Sequence, residues 1–577
     1  MAIENLIDDH LDLWTSAVRP KSSAGRGSNS KLELTGIKKL RELILALAVR
    51  GKLVPQDPND EPASVLLARI AADKARLVKA GKIKKEKQYS AITKTELPSH
   101  MPNGWVFERF GNVLINRDFE RIPLAVSDRE KRKGPYDYYG ASGVIDHIDG
   151  YLFDKPLLLI GEDGANLINR STPIAFMARG KYWVNNHAHV LDGLNEELLL
   201  YVCLHINAIS LEPYITGTAQ PKMNQAKMNE IILGIPPASE QHRIVAKVDE
   251  LMALCDQLEQ HSESQLAAHQ TLVETLLATL TDSSDADELA QNWERLSTHF
   301  DTLFTTEASI DALKQTILQL AVMGKLVPQD PADEPASVLL ERIATEKAQL
   351  VKEGKIKKEK PLPTISEEEK PFELPAGWEW CRLNDLALSS EAGWSPQCES
   401  TPRENNKWGV LKVSAVTWGV FKPEENKELP ESLEPRPEYE VKPGDFLISR
   451  ANTAELVARA VIVSDDAPTN LMMSDKIIRF KFSKLISAHF INMVNNSMFS
   501  RLYYAKVAGG TSSSMRNVSR GQIQNLVIAL PPISEALQII DRTNELMVIC
   551  DTLKTRLQTN QQTKLALAEA LVEGALA

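Results

Sequence analysis

Between the apolar runs of this chain lie polar stretches made of residue types that read nucleic-acid edges. Arg129, Lys131, Arg132 and Lys133 form a cationic run ahead of PYDYYGASG, which carries Tyr139 and Ser142. Asn166, Asn169 and Arg170 follow in ANLINR, Asn185, Asn186 and His187 in WVNNHAHV, and Thr218, Gln220 and Lys222 in GTAQPKMN. Further on, Arg450, Asn452 and Thr453 stand in GDFLISRANTAELV, Lys476 opens KIIRFKF, and Ser513, Ser514, Arg516 and Asn517 lie in GGTSSSMRN. Guanidinium and ammonium donors suit phosphates and guanine, while Asn and Gln offer the paired donor and acceptor that adenine presents in the major groove. The same side chains also close turns, so for any single residue loop closure and base contact stand equal.

Residues for covalent or metal chemistry do not accompany them. The glycine-bearing stretch 25–31 has the wrong spacing for a phosphate loop. Both Pro-Pro pairs, 236–237 and 531–532, follow an aliphatic residue and read as strand-to-helix joints, not as part of a base-flipping tetrapeptide. Glu440-Val441-Lys442 is half of a nuclease signature without its upstream aspartate, and a turn into a strand explains it better. His187 and His189 make an HxH pair, yet no third ligand is apparent, which favours hydrogen bonding or base contact over a metal. The five cysteines lack ligand spacing, and Cys255 and Cys550 fall on helices as small core residues. The chemistry on offer is binding.

The elements that must position these loops are written twice. GKLVPQDPNDEPASVLLARIAADKARLVKAGKIKKEK (51–87) recurs 273 residues later, with differences only at positions 59, 68, 72, 73, 76 and 80. A repeat of this length fixes the architecture before any local reading. Each copy predicts a helical hairpin: apolar residues at helical spacing over 37–49, a GKLVPQDP turn, then a helix with Pro62 in its first turn and Gly81 at its end. Such a hairpin fits a scaffold better than a DNA-reading helix-turn-helix, which rarely comes as near-identical copies beside divergent modules. The run KIKKEK then leads through proline-bearing text to a Gly-Trp, at 104–105 and 377–378. Short apolar runs follow, predicting strands at YLFD, PLLLIG, TPIAFMA, KYWVNN, WGVLKVSAV, GDFLISR, ARAVIVS and KIIRFKF, and helices over 196–209 and SAHFINMVNNSMF. Each module closes on Pro-Pro and a long amphipathic helix, 238–280 and 533–574, whose stripes predict mutual burial. Residues 1–20 predict one short amphipathic helix, and TDSSDADE (281–288) a break before the second copy.

Bulk properties agree with a multidomain soluble chain of 577 residues, 43% hydrophobic and 25% charged. The start has no secretory pattern and no window is apolar enough to span a membrane, so a reducing cytoplasm is expected. A net charge of −11 argues against broad electrostatic binding of nucleic acid by the chain alone, although residues 442–520 hold eleven Lys/Arg against five Asp/Glu.

Taken together, the duplicated LAV(R/M)GKLVPQDP and ASVLL blocks, the Gly-Trp module entrances, the PP(A/I)SE helix starts with LM(A/V)(L/I)CD, and YYGASGVIDHIDGYLFD, LIGEDGANL and GDFLISRANTAELV resemble the specificity subunit of type I restriction–modification systems across the whole chain. Ala536-Leu537, where the first copy has Gln241-His242, departs from a strict copy. The resemblance implies an α+β fold with internal duplication and pseudo-twofold symmetry, two α/β target-recognition domains being separated by a pair of long helices. The segments would be an N-terminal helical region (1–102), target-recognition domain 1 (103–236), a central helical region (237–375), target-recognition domain 2 (376–531) and a C-terminal helix (532–577). It further implies a non-catalytic chain that binds double-stranded DNA, reads one half of a bipartite site with each domain, and docks two modification subunits and restriction subunits. S-adenosylmethionine, ATP and Mg would be used by those partners and no cofactor bound by this chain. A peptide-binding helical adaptor and a self-contained endonuclease or methyltransferase are the alternatives. The first would show no salt-dependent DNA binding in any assembly, and the second would be active alone.

Overall fold

The computed structural model describes all residues except 1–2, 21–31, 85–88, 99, 218–219, 285, 359, 399, 418 and 513–514. The stretch 25–31 and the candidates Thr218, Ser513 and Ser514 thus lie outside the described residues. The fold is α+β and forms two compact units, residues 1–266 with 559–577 and residues 267–558.

In the first unit the repeated hairpin consists of helices Thr35–Val49 and Ala63–Lys79. Pro62 is the N-cap of the second helix, with extended ψ of 144°, and not a first-turn residue as expected; Pro335 does the same in the second copy. Gly51 makes the turn possible. Its φ is +66°, and a Cβ there would sit 2.6 Å from the Pro102 ring. The stripe Leu40, Leu43, Ile44 and Leu47 is buried against Ile244, Val248, Leu251 and Cys255 of the long helix Ala238–Asp282, with Ala568 of the helix Ile533–Leu576 in the same core. The long stripes are therefore buried chiefly with the hairpin helices and not simply on each other as expected, and Ile549 of the second stripe is exposed. Each fully buried Leu or Ile contributes roughly 1.5–3 kcal/mol. The N terminus forms two helices, Ile3–Asp9 and Leu11–Ser16, where one was expected; buried Trp14 donates its ring N–H to the Leu6 carbonyl oxygen at 3.3 Å across the break.

Module 1 hangs from a two-stranded ladder. Val106–Arg109, just after the Gly-Trp, pairs antiparallel with Ile232–Ile235, just before the Pro-Pro. Between these ends an antiparallel sheet runs in the order Ile115–Asn116, Ala188–Asp192, Leu157–Gly161, Ala175–Ala178. A second sheet runs in the order Gly143–Ile148, Tyr136–Gly140, Lys181–Val184, Phe153–Asp154, with Lys181–Val184 parallel to Tyr136–Gly140. The five consecutive buried residues of Leu157–Gly161 mark the core strand, covered on one face by the helix Glu196–Ala208.

The second unit repeats this scheme with unrelated sequence. Glu379–Arg382 pairs with Val527–Leu530, and the inner sheet runs Ala387–Ala392, Ile477–Phe482, Phe446–Ser449, Ala460–Ile462. Gly409–Leu411 pairs parallel with Leu471–Met472, as the matching strands of module 1 do; the strand expected over WGVLKVSAV ends there and gives way to a 3-10 turn at Val413–Val416. Beyond the sequence expectation, and apart from single turns, this unit has a helix at Ala286–Thr298, which begins within the expected break at 281–288, and another at Met498–Val507. Leu296, Leu303 and Phe304 of this region bury against Leu277 and Leu280. No helix among the described residues is long and apolar enough to cross a membrane.

Candidate nucleic-acid interface

The candidate loops of each module meet where three chain segments cross at one end of the inner sheet. In module 1 the Glu162 backbone N–H donates to the His187 carbonyl oxygen (2.9 Å) and the Met223 N–H donates to the Glu162 carbonyl oxygen (2.8 Å). In module 2 the Arg450 N–H donates to the Lys476 carbonyl oxygen (2.8 Å) and the Val518 N–H to the Arg450 carbonyl oxygen (2.9 Å). The flanking strand pairs agree, Ala188 facing Gly161 and Ile477 facing Ser449. Glu162 and Arg450, His187 and Lys476, and Met223 and Val518 are thus register equivalents. Gly161 is required here: a Cβ would lie 2.7 Å from the Ala141 carbonyl oxygen, so only glycine lets the turn holding Ser142 approach.

The module 1 junction is held by a charge network. His189, buried, has Nδ1 2.6 Å from Asp118 Oδ2 and Nε2 3.0 Å from the Met223 carbonyl oxygen. Arg121 bridges Asp118 (3.4 Å) and Glu162 (3.1 Å) and donates to the Ala188 carbonyl oxygen, and Lys222 reaches Glu162 at 3.1 Å. Burial alone would raise the Asp118 carboxyl, but its bond to His189 and the Arg121 charge hold it below its ordinary value. The HxH pair is thereby split: His189 is internal, while His187 is exposed and faces Asp163. Among the described residues no three His, Cys, Asp or Glu side chains are grouped to hold a metal ion.

At this junction lie Ser142, Asn186, His187, Gln220 and Lys222, all exposed. Asn185 is buried, its Oδ1 accepting the His187 N–H and its own N–H donating to the Tyr139 carbonyl oxygen. Asn166 closes its own loop through Ser171 and Thr172. Arg170, left-handed at φ +49°, donates to the Ile209 carbonyl oxygen at 2.8 Å, while Asn169 is exposed beside it. Tyr139 is half-buried between Phe176 and Tyr182.

The cationic run is tied elsewhere. Arg129 pairs with Asp146 at 3.1 Å and lies over the Tyr138 ring; Arg132 pairs with Asp149 and lies over Trp183. Lys133 and the His147 backbone N–H hold the Asp146 carboxyl down at about 2. Only Lys131 of the run is exposed without an ion pair among the described residues. In module 2, Asn452 and Arg516 face each other across a short ladder, as do Ala451 and Asn517. Asn452 donates to Thr417 Oγ1, Thr453 Oγ1 is buried, and Arg516 donates to the Gly510 carbonyl oxygen at 3.0 Å. Lys476 and Asn517 are exposed and Arg450 is half-buried.

Sequence reasoning missed the frame contacts that hold both modules. The Trp105 ring N–H donates to Glu240 Oε1 at 3.1 Å, and that of Trp378 to Glu535 Oε2 at 2.9 Å. Gln329 also donates to Glu535. Both carboxylates are buried, which pushes them above the usual range. Arg109 and Arg382 repeat a second contact set, each reaching a loop glutamate (Glu96, Glu369) and a backbone oxygen before the exit strand.

Fold and site define a duplicated binding protein: a frame written twice, two modules, two loop junctions of different chemistry. The family model for the type I restriction modification DNA specificity domain matches residues 103–268. Over 603 residues, and 100% of both chains, the protein is 48% identical to the type I restriction enzyme EcoEI specificity subunit of Escherichia coli. It is 42% identical over 607 residues to the EcoAI specificity subunit of the same organism, again over 100% of both. The crystal structure of the HsdS subunit from Thermoanaerobacter tengcongensis superposes with a TM-score of 0.36 at 15% identity, covering 84% of this chain and 99% of that one. The chain belongs to the type I restriction enzyme specificity subunits, the DNA-selecting and non-catalytic components of restriction–modification complexes.

Proposed function

We propose that each module reads one half of a bipartite, asymmetric site on double-stranded DNA. The long helices set the unread spacer and, with the hairpins, offer the docking platform for two modification subunits and for restriction subunits. S-adenosylmethionine, ATP and Mg belong to those partners; this chain holds no cofactor, and the complex works in the cytoplasm. The five-segment division at 102, 236, 375 and 531 follows from this reading. The observation that carries it is the pair of register-equivalent junctions, alike in backbone and unlike in side chain, on a frame whose contacts repeat. Reading falls to residues exposed there, Ser142, Asn186, His187, Gln220 and Lys222 in module 1 and Lys476 and Asn517 in module 2, with the half-buried Arg450 and Arg516 beside them, while Lys131 and Asn169 meet phosphates. Arg129, Arg132, Lys133, Tyr139, Asn166, Arg170 and Asn185 support the loops, and Asn452 and Thr453 do so in module 2.

The test exchanges residues 104–235 for the same segment of a relative and sequences the methylome made by the assembled complex. One half-site should change and the other persist. Change in both, or in neither, rules out independent half-site reading.

A further inference from the structure

The register equivalence of His187 and Lys476 has a chemical content that rests on the half-site reading above. The His187 ring is held firmly. Its Nδ1 lies 2.8 Å from Asp163 Oδ2 and 3.1 Å from Oδ1, its backbone N–H donates to Asn185 Oδ1 at 2.8 Å, and its carbonyl oxygen accepts from Glu162. A carboxylate on Nδ1 fixes the tautomer of the neutral imidazole, with the proton on Nδ1 and the lone pair on Nε2. The other ring nitrogen is then an acceptor, on a side chain with 51% of its surface exposed. Lys476, equally exposed at 51%, has only donors, and its partner is the neighbouring Asp475 at 3.3 Å. Module 2 closes the same backbone crossing without a His–carboxylate pair, so the fold does not need that pair to close the loop. Its orientation is available for a contact outside the chain.

In the major groove adenine N6 and cytosine N4 donate, whereas guanine N7 and O6 and thymine O4 accept. We propose that His187 is a specificity-determining residue of module 1 that accepts a hydrogen bond from the exocyclic amino group of adenine or cytosine. Lys476, at the matching place in module 2, donates to the acceptor edge of guanine or thymine. Asp163 is the positioning residue for His187.

The test uses the full chain assembled with methyltransferase subunits and carrying His187→Ala, His187→Lys, Asp163→Asn or Lys476→His, read by methylome sequencing and by DNA binding across salt. His187→Ala should lower discrimination at one base pair of one half-site by about tenfold, the scale of a single lost base contact. His187→Lys should reverse the preference there from an amino-bearing to an acceptor-bearing base, and Lys476→His should do the opposite in the other half-site. Asp163→Asn should relax the same base pair as His187→Ala, which a purely structural role would not select. Unchanged half-sites at wild-type affinity, or a loss shared evenly by all sequences, would overturn the assignment. Should His187→Lys fail to assemble, Asp163→Asn decides: relaxation confined to that base pair supports the proposal and an unaltered motif refutes it. A wild-type complex that marks no bipartite site would instead remove the half-site reading itself.

Discussion

Where the core strand of module 1 leaves the sheet stands Glu162; where that of module 2 leaves stands Arg450, with the same two backbone hydrogen bonds around it. Glu162 is answered by Arg121 and Lys222 of its own module. Module 2 puts its buried charge elsewhere: Arg479, register equivalent of Val190, pairs with Glu391 at 2.6 Å and Asp445 at 2.8 Å and donates to the carbonyl oxygens of Glu438 and Glu440. A sheet of one topology thus tolerates opposite charge at the same place, provided each buried ion is paired within its own module. Fold is carried by register and frame, and loop chemistry is left free to differ.

The strongest way to break that comparison is to remove a frame contact. Trp105→Ala and Trp378→Ala should each cost about 3–5 kcal/mol, as a buried ring is lost and a buried glutamate loses its donor. Calorimetry should place each loss in the transition of the variant's own unit, and equal effects on both transitions would deny two separate frames. Next in size is Arg479→Val, which writes the module 1 residue into module 2. It should cost about 3 kcal/mol, because two carboxylates lose their shared cation, whereas the valine at 190 stands in an apolar core. Urea unfolding measures it, and a neutral outcome would mean that the charge networks are interchangeable after all.

The last effect vanishes at neutral pH and appears only in acid. Trp105 meets Tyr201 edge-on at 6.2 Å and Trp378 meets Phe490 at 6.4 Å, so His205, four residues on, matches Val494. Burial pushes the His205 imidazole down from 6.5 to about 4, and its Nδ1 has no partner among the described residues. The folded form then holds fewer protons than the unfolded one, so stability falls as pH drops from about 6.5 toward 4, by up to about 3 kcal/mol. Unit 1 should lose stability over that window while unit 2 gains no such term, and His205→Val should level them. Circular dichroism melts at pH 7 and pH 4.5 report the difference.

Much of this was legible in the chain. The repeat fixed two frames, and helical spacing located the hairpins and long helices to within a few residues, because a 3.6 period over forty residues leaves little ambiguity. Apolar runs located most inner strands, Leu157–Gly161 clearest of all. The likeness of the two modules was hidden, since topology is kept by backbone register while the side chains differ. Trp105 and Glu240 are 135 residues apart, and no local pattern joins them. Arg129 to Lys133 read as phosphate-seeking because their partners, Asp146 and Asp149, come only after an intervening strand and turn. The helix Ala286–Thr298 escaped notice because the Ser/Asp-rich text before it reads as a linker, whereas Ser284 bonds Glu288 and starts the helix.

The ladder from Val106 to Ile235 has one more consequence. Its two strands run antiparallel in register, so the points where the chain leaves and rejoins the frame are neighbours. Whatever lies between them can change in length or origin without moving either flank, and the second copy, with 22 more residues between its Gly-Trp and Pro-Pro, has done so. In genetic terms each module is an in-frame cassette with adjoining ends. A crossover at the two borders replaces it whole, so that on the proposed half-site reading a new target preference arises in one event while the hairpin and Glu240 of the frame stay in place.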